Sequence, residues 1–112
     1  MFQILSPEGI VDKEKLIETG LKWSDCLAIY KTMVFTRVFE ERMTAEARWD
    51  HMPLYVSPRG EEGAEIGSAY ALGENDWIFF YARYHGAAFM KGVSVNSMLK
   101  YFYGIPDLEI TK

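Results

Sequence analysis

The chain has 112 residues, 49% hydrophobic and 15% aromatic, with a formal net charge of −4. That length allows one domain at most, and that much apolar matter excludes a disordered segment. The acidic balance, without a basic stripe, excludes nucleic acid as the expected partner, and no run approaches the ~20 apolar residues of a membrane span.

Residues 1–23 read as an N-terminal arm and a short helix, and residues 24–112 as the start of a larger, incomplete domain, all within a single partial domain. The first ten residues are expected to be extended, with Pro7 and Gly9 as breakers; they lack the basic and long apolar segments of a signal peptide. Asp12 can cap a short helix over Lys13–Thr19, stopped by Gly20. Cys26 is alone, so no intrachain disulfide is possible and a reducing cytoplasm is the expected location. Ser24 can cap a longer helix from Asp25 to about Trp49. Its apolar residues recur at Leu27, Tyr30, Val34 and Val38, with Phe35 and Phe39 widening the stripe. At ~37 Å this helix is longer than a compact domain of this size covers, so it reads as built to lie across something larger.

Pro53 and Pro58 bracket a short extended piece, Leu54-Tyr55-Val56. A helix is expected from about Gly60 to Leu72, with a small-residue face that includes Gly63, Gly67 and Ser68. Interior glycines cost roughly 1 kcal/mol each against alanine, which suggests tight packing against another element or a cofactor. The run Trp77-Ile78-Phe79-Phe80-Tyr81 reads as a buried strand. Helices over His85–Lys91 and Val95–Tyr103 follow, ended by Gly92 and Gly104, with Ser94 capping the second. One strand cannot make a sheet, so the pattern is the opening of an α/β domain.

An arginine at the carboxyl end of a buried strand, just before a helix, stands where open α/β sheets place ligands. Arg83 and the helix terminus near His85, with its free backbone N–H groups, would suit a phosphate; a surface ion pair for Arg83 and a satisfied loop position for His85 are the plain alternative. Glu61 and Glu62 point about 100° apart and do not converge on one atom. His51 lies in an expected loop, and two histidines with one cysteine make no zinc pattern. Met33, Met43, Met90 and Met98 read as core filler.

Taken in order, Tyr30-Lys31-Thr32-Met33, Tyr55-Val56, Gly60-Glu61-Glu62-Gly63, Ile66–Leu72, Asp76-Trp77-Ile78-Phe79, Arg83, His85-Gly86, Tyr103-Gly104 and Asp107-Leu108 resemble the alpha subunit of the decarboxylating component of 2-oxo acid dehydrogenase complexes. The branched-chain type is most similar, and the match is to the subunit's N-terminal part. The resemblance implies an α/β thiamine-diphosphate-binding fold, here an N-terminal fragment that is mostly helical with one or two short strands. It implies an oxidoreductase that decarboxylates a 2-oxo acid, branched-chain or pyruvate, and passes the acyl group to lipoyl. Its partners would be a beta subunit, two alpha with two beta, and a lipoyl-bearing acyltransferase.

Arg83 carries over as a clamp on the diphosphate, with His85 at the same site; no catalytic base is expected in this chain. Ala82 stands where the family has a second diphosphate ligand, a tyrosine. The family holds magnesium with Gly-Asp-Gly, and none of the nine glycines here is followed by Asp, so no metal ligand is assigned. This chain alone is therefore expected to be inactive. The alternatives are a truncated product that only makes subunit contacts and an unrelated small helical binding module.

Overall fold

The computed structural model describes residues 2–49, 52 and 55–106. Five helices run in order: α1 (Lys13–Glu18), α2 (Trp23–Ala47), α3 (Glu62–Ala71), α4 (His85–Met90) and α5 (Val95–Phe102). The Asp12 side chain accepts from Lys15 N at the start of α1, and Gly20 follows its end at φ 71°, a left-handed position where a Cβ would be strained. Ser94 accepts from Ser97 N and caps α5 as expected. The long helix is not capped by Ser24. It begins at Trp23, and the Asp25 carboxylate three residues beyond Lys22 accepts from Lys22 N at 2.8 Å. A carboxylate bonding back to the first turn also complements the helix dipole, which a serine hydroxyl does not.

The N-terminal segment is not simply extended. Leu5 and Val11 form an isolated antiparallel bridge. Between them Ser6 Oγ accepts from Glu8 N and Ile10 N, and Gly9 sits at φ 82°. The breakers fold the arm back on itself. Tyr55 and Val56 belong to no regular element; Pro53, Leu54 and His51 lie outside the described residues, as do Asp107 and Leu108.

The core is where α2, α3 and α4 pack on one another, closed from the far side by α5. Phe39, Met43, Met52, Ala88, Met98 and Phe102 form it, with Phe89, Tyr55 and Leu99 half-buried around it. Of the four methionines read as filler, Met43 and Met98 are core, whereas Met33 and Met90 are half-buried. Phe39 meets Phe89 edge-on, ring centres 5.0 Å apart, which is the arrangement the ring quadrupoles favour.

Three expectations fail. First, no strand is present among the described residues, so the one or two expected strands are replaced by irregular chain. Trp77, Phe79 and Tyr81 are 80%, 87% and 75% exposed. A continuous aromatic run signals a strand only where a neighbouring strand can pair with it, and the described residues offer none. Second, the stripe Leu27, Tyr30, Val34 and Val38 of α2 does not face this core; Thr36, Phe39, Glu40 and Met43 do. Third, the small face of α3 is not tightly covered. A Cβ at Gly67 would meet nothing within 4 Å, and one at Gly63 would meet only Met33 Cε at 3.7 Å. The helical content is otherwise as expected, and the molecule is drawn out. Its radius of gyration is 15.8 Å, against about 13 Å for a compact domain of this length.

Candidate functional site

The candidate site is the corner where α3 meets the start of α4. Three acidic residues open α3, and each side chain goes its own way. Glu61 Oε1 accepts from Arg83 Nη1 at 2.8 Å, both side chains half in solvent. Glu62 turns to α2, where Arg37 Nε donates at 2.6 Å, and its other oxygen accepts from Gly60 N. The Arg37 hydrogen bond holds the Glu62 carboxyl below the usual range. Glu65 points into the interior. As the sequence suggested, Glu61 and Glu62 do not converge on one atom.

Glu65 answers a local need. Helix α4 is six residues long, and Tyr84 at its N-cap makes no side-chain cap, so its first amides have no local acceptor. Glu65 Oε2 takes Gly86 N at 2.9 Å and Ala87 N at 3.4 Å. A carboxylate from α3 thus caps α4 and favours its positive dipole end. The contact depends on Gly86. A Cβ there would stand 2.8 Å from Ile66 Cγ1 and 3.1 Å from Glu65 Oε2. Burial pushes the Glu65 carboxyl up to about 7, against the lowering pull of the two amides.

His85, two positions beyond Arg83, faces the opposite way. It is 3% exposed, with ring centres of Phe102 at 4.9 Å, Tyr55 at 5.4 Å and Phe39 at 6.4 Å. Burial lowers its pKa to about 4, although a hydrogen bond to the Val56 backbone works the other way. The ring is therefore neutral at pH 7. Behind it the interior stays polar: buried Glu40 Oε1 accepts from Thr44 Oγ1 at 2.8 Å and Ser57 Oγ at 2.6 Å. Burial and the nearby Glu40 and Glu65 raise the Tyr55 phenol. A pocket of about 20 Å³ opens beside His85, between Tyr84, Ala88 and Met98. That is about the space of a single water.

The two sequence-chosen residues are thus not brought together: Arg83 is at the surface and His85 in the core. The backbone N–H groups expected to be free at the start of α4 are taken by Glu65. Sequence reasoning missed Glu65, Gly86 and the Glu40–Ser57 contact. One signal for the first was available, because a short helix preceded by Tyr84, which cannot cap, must find an acceptor elsewhere in the chain.

The family model of the dehydrogenase E1 component matches residues 30–108, which takes in most of α2 and all of α3, α4 and α5. The chain belongs to the dehydrogenase E1 component family. Among curated relatives, it is 30% identical over 96 residues to the 3-methyl-2-oxobutanoate dehydrogenase subunit alpha of Mycobacterium tuberculosis, covering 81% of this chain and 25% of that one. It is 31% identical over 81 residues to the 2-oxoisovalerate dehydrogenase subunit alpha of Bacillus subtilis, covering 71% and 24%. The pyruvate dehydrogenase E1 component subunit alpha of Staphylococcus aureus is 31% identical over 78 residues, covering 70% and 21%. The chain therefore spans about a quarter of the length of these relatives. No solved structure matches it at a comparable level. The Glu65–Gly86 cap and the Arg83 corner both fall inside the stretch matched by the E1 model. No helix among the described residues is long and apolar enough to cross a membrane.

Proposed function

We propose that this chain is the front portion of the alpha subunit of a thiamine-diphosphate-dependent 2-oxo acid dehydrogenase, acting on a branched-chain 2-oxo acid or pyruvate. In the whole enzyme it works with a beta subunit and passes an acyl group to a lipoyl-bearing acyltransferase. The observation that carries this is the similarity, over four-fifths of the chain, to a relative named as such an alpha subunit. Within it Arg83 is the residue turned toward the diphosphate. It stands at the corner before α4, and its partner Glu61 is as exposed as it is. An exposed ion pair contributes at most about 1 kcal/mol, so a doubly charged phosphate can displace the carboxylate. His85 supports the same corner from inside, by holding the start of α4 against Tyr55 and Phe102.

The α4 amides of this chain are occupied by Glu65. This favours a second reading, in which the 112-residue chain by itself is a non-catalytic product that makes subunit contacts. Calorimetry of the chain with thiamine diphosphate and magnesium separates the two. The non-catalytic reading expects weak or no binding and fails at a dissociation constant near ~1 µM, about −8 kcal/mol.

The enzymatic reading is tested by grafting residues 30–108 into a full-length relative and assembling it with its beta subunit. The graft should decarboxylate 2-oxo acids. Arg83→Ala in it should weaken thiamine diphosphate by about ten- to a hundredfold, the loss of one charge-assisted hydrogen bond. Arg83→Lys should recover part, since a point charge does not reproduce the planar fork. Unchanged cofactor affinity in Arg83→Ala, with a lower melting temperature, would assign Arg83 to stability alone.

A further inference from the structure

Helix α2 packs one side into the core and carries on its opposite side an apolar stripe that stays largely exposed among the described residues. Its inner side carries Thr36, Phe39, Glu40 and Met43 into the core. Its outer side carries Trp23, Leu27, Tyr30, Val34 and Val38, which are 67%, 50%, 62%, 45% and 55% exposed. At about 100° per residue these five fall within an arc of about 80°, roughly half a turn from the buried four. Their spacing of four, three, four and four residues is that of a helix seam, sustained over about 22 Å.

We infer that this outer stripe is a self-association surface, on which α2 of a second copy of the chain lies antiparallel. Three observations select that occupant and that direction. The first is taper. The stripe is bulky at its N-terminal end, with Trp23 and Leu27, and slender at its C-terminal end, with Val34 and Val38. An antiparallel copy with its two-fold axis near Tyr30 sets Trp23 against Val38 and Leu27 against Val34, giving layers of even thickness. A parallel copy would stack Trp23 on Trp23 and leave a gap between valines, which well-packed interfaces avoid.

The second is charge. Exposed Lys22 precedes the stripe and exposed Glu41 continues it one turn past Val38. Only the antiparallel arrangement brings each Lys22 to the partner's Glu41; the parallel one pairs like with like. The third is area. From the exposures above, the five side chains offer about 500 Å² per copy. Two copies reach the ~1,000 Å² that a specific interface needs, before any flanking residue is added. An isologous pairing of one patch with itself also closes after two copies and leaves no open end. The inference stands independently of the enzymatic reading.

Sedimentation of the full 112-residue chain over about 5–200 µM is expected to give a dimer. Leu27→Glu combined with Val34→Glu should raise the dimer dissociation constant about a hundredfold or more, with helical circular dichroism unchanged. Trp77→Ser with Phe79→Ser should leave the dimer intact, which separates the stripe from the other exposed aromatics. Direction is read in a Cys26→Ser background under mild oxidation. Tyr30→Cys should cross-link to itself, and Trp23→Cys should cross-link to Val38→Cys in a mixture but not to itself. A wild-type chain that stays monomeric, a dimer that survives the double glutamate variant, or self-cross-linking at position 23 would each overturn the proposal. The cross-linking arms decide it even if the glutamate variant fails to fold.

Discussion

Gly86→Ala tests the α3–α4 corner most directly. The new Cβ would lie 2.8 Å from Ile66 Cγ1, 3.0 Å from Ile66 Cδ1 and 3.1 Å from Glu65 Oε2. Ile66 is fully buried on a helix, where a β-branched side chain has almost no alternative rotamer. The new Cβ presses on both neighbours at once: Ile66 is overpacked, and the Glu65 carboxylate is driven back from Gly86 N and Ala87 N. Overpacking costs about 1–3 kcal/mol, and loss of a hydrogen bond to a charged group about 1.5–3 kcal/mol. Alanine returns at most ~1 kcal/mol of helix propensity over glycine. The steric and polar losses win, and the net destabilisation should be about 2–4 kcal/mol, a large share of a small domain's stability. Urea melts at pH 8 should show a lower midpoint at unchanged slope, and the melting temperature should fall by about 10 °C or more. Adding Ile66→Val should recover part of it. A midpoint equal to or above wild type would mean that the corner has room for a Cβ, and the cap argument would fail with it.

Glu65→Gln addresses the pH dependence. The raised Glu65 carboxyl, near 7 against a usual 4.5, stabilises the fold fully below pH 4.5 and loses that contribution as pH rises through 7, about 3 kcal/mol in all. His85, lowered to about 4 from 6.5, works oppositely: stability is full above pH 6.5 and falls as pH drops toward 4. The two nearly cancel in the wild type. Glu65→Gln should therefore unmask a rise in stability of about 3 kcal/mol between pH 4 and 6.5, and parallel pH profiles in variant and wild type would refute it. Ser57→Ala removes a donor from buried Glu40 and should cost about 1–3 kcal/mol in chemical denaturation; a change within ~0.5 kcal/mol would show that the carboxylate finds another donor. Phe79→Ser, at an exposed site, should leave the melting temperature within error while reducing binding of an apolar dye, and an unchanged dye signal would place the sticky surface elsewhere.

Much of the helical framework was legible, because its signals are local. Asp12, Gly20, Ser94, Gly92 and Gly104 act through backbone geometry within a few residues, and they end or begin helices where they stand. What failed depended on distant partners. The aromatic run at Trp77–Tyr81 has the composition of a buried strand, yet burial requires a neighbour that composition cannot supply. The outer stripe of α2 has core-like periodicity, but periodicity does not say which of two apolar faces meets the core. At the site, Arg83 precedes α4 but ends an irregular connection and not the strand expected for it. Glu65 carries no motif, because its role comes from a helix twenty residues further on that lacks a cap of its own.

The exposed aromatic ribbon between α3 and α4 also makes the chain separable. Trp77, Phe79 and Tyr81 project from an irregular connection, which is the form in which a protease with aromatic preference accepts a substrate. A nick there severs the covalent link between the two halves of the molecule while leaving the Glu65 bonds to Gly86 and Ala87 and the Phe39–Phe89 contact in place. The cut chain would then behave as a non-covalent pair of peptides, travelling together in native buffer and parting in urea. The strength of the α3–α4 corner could be weighed from the concentration at which they part.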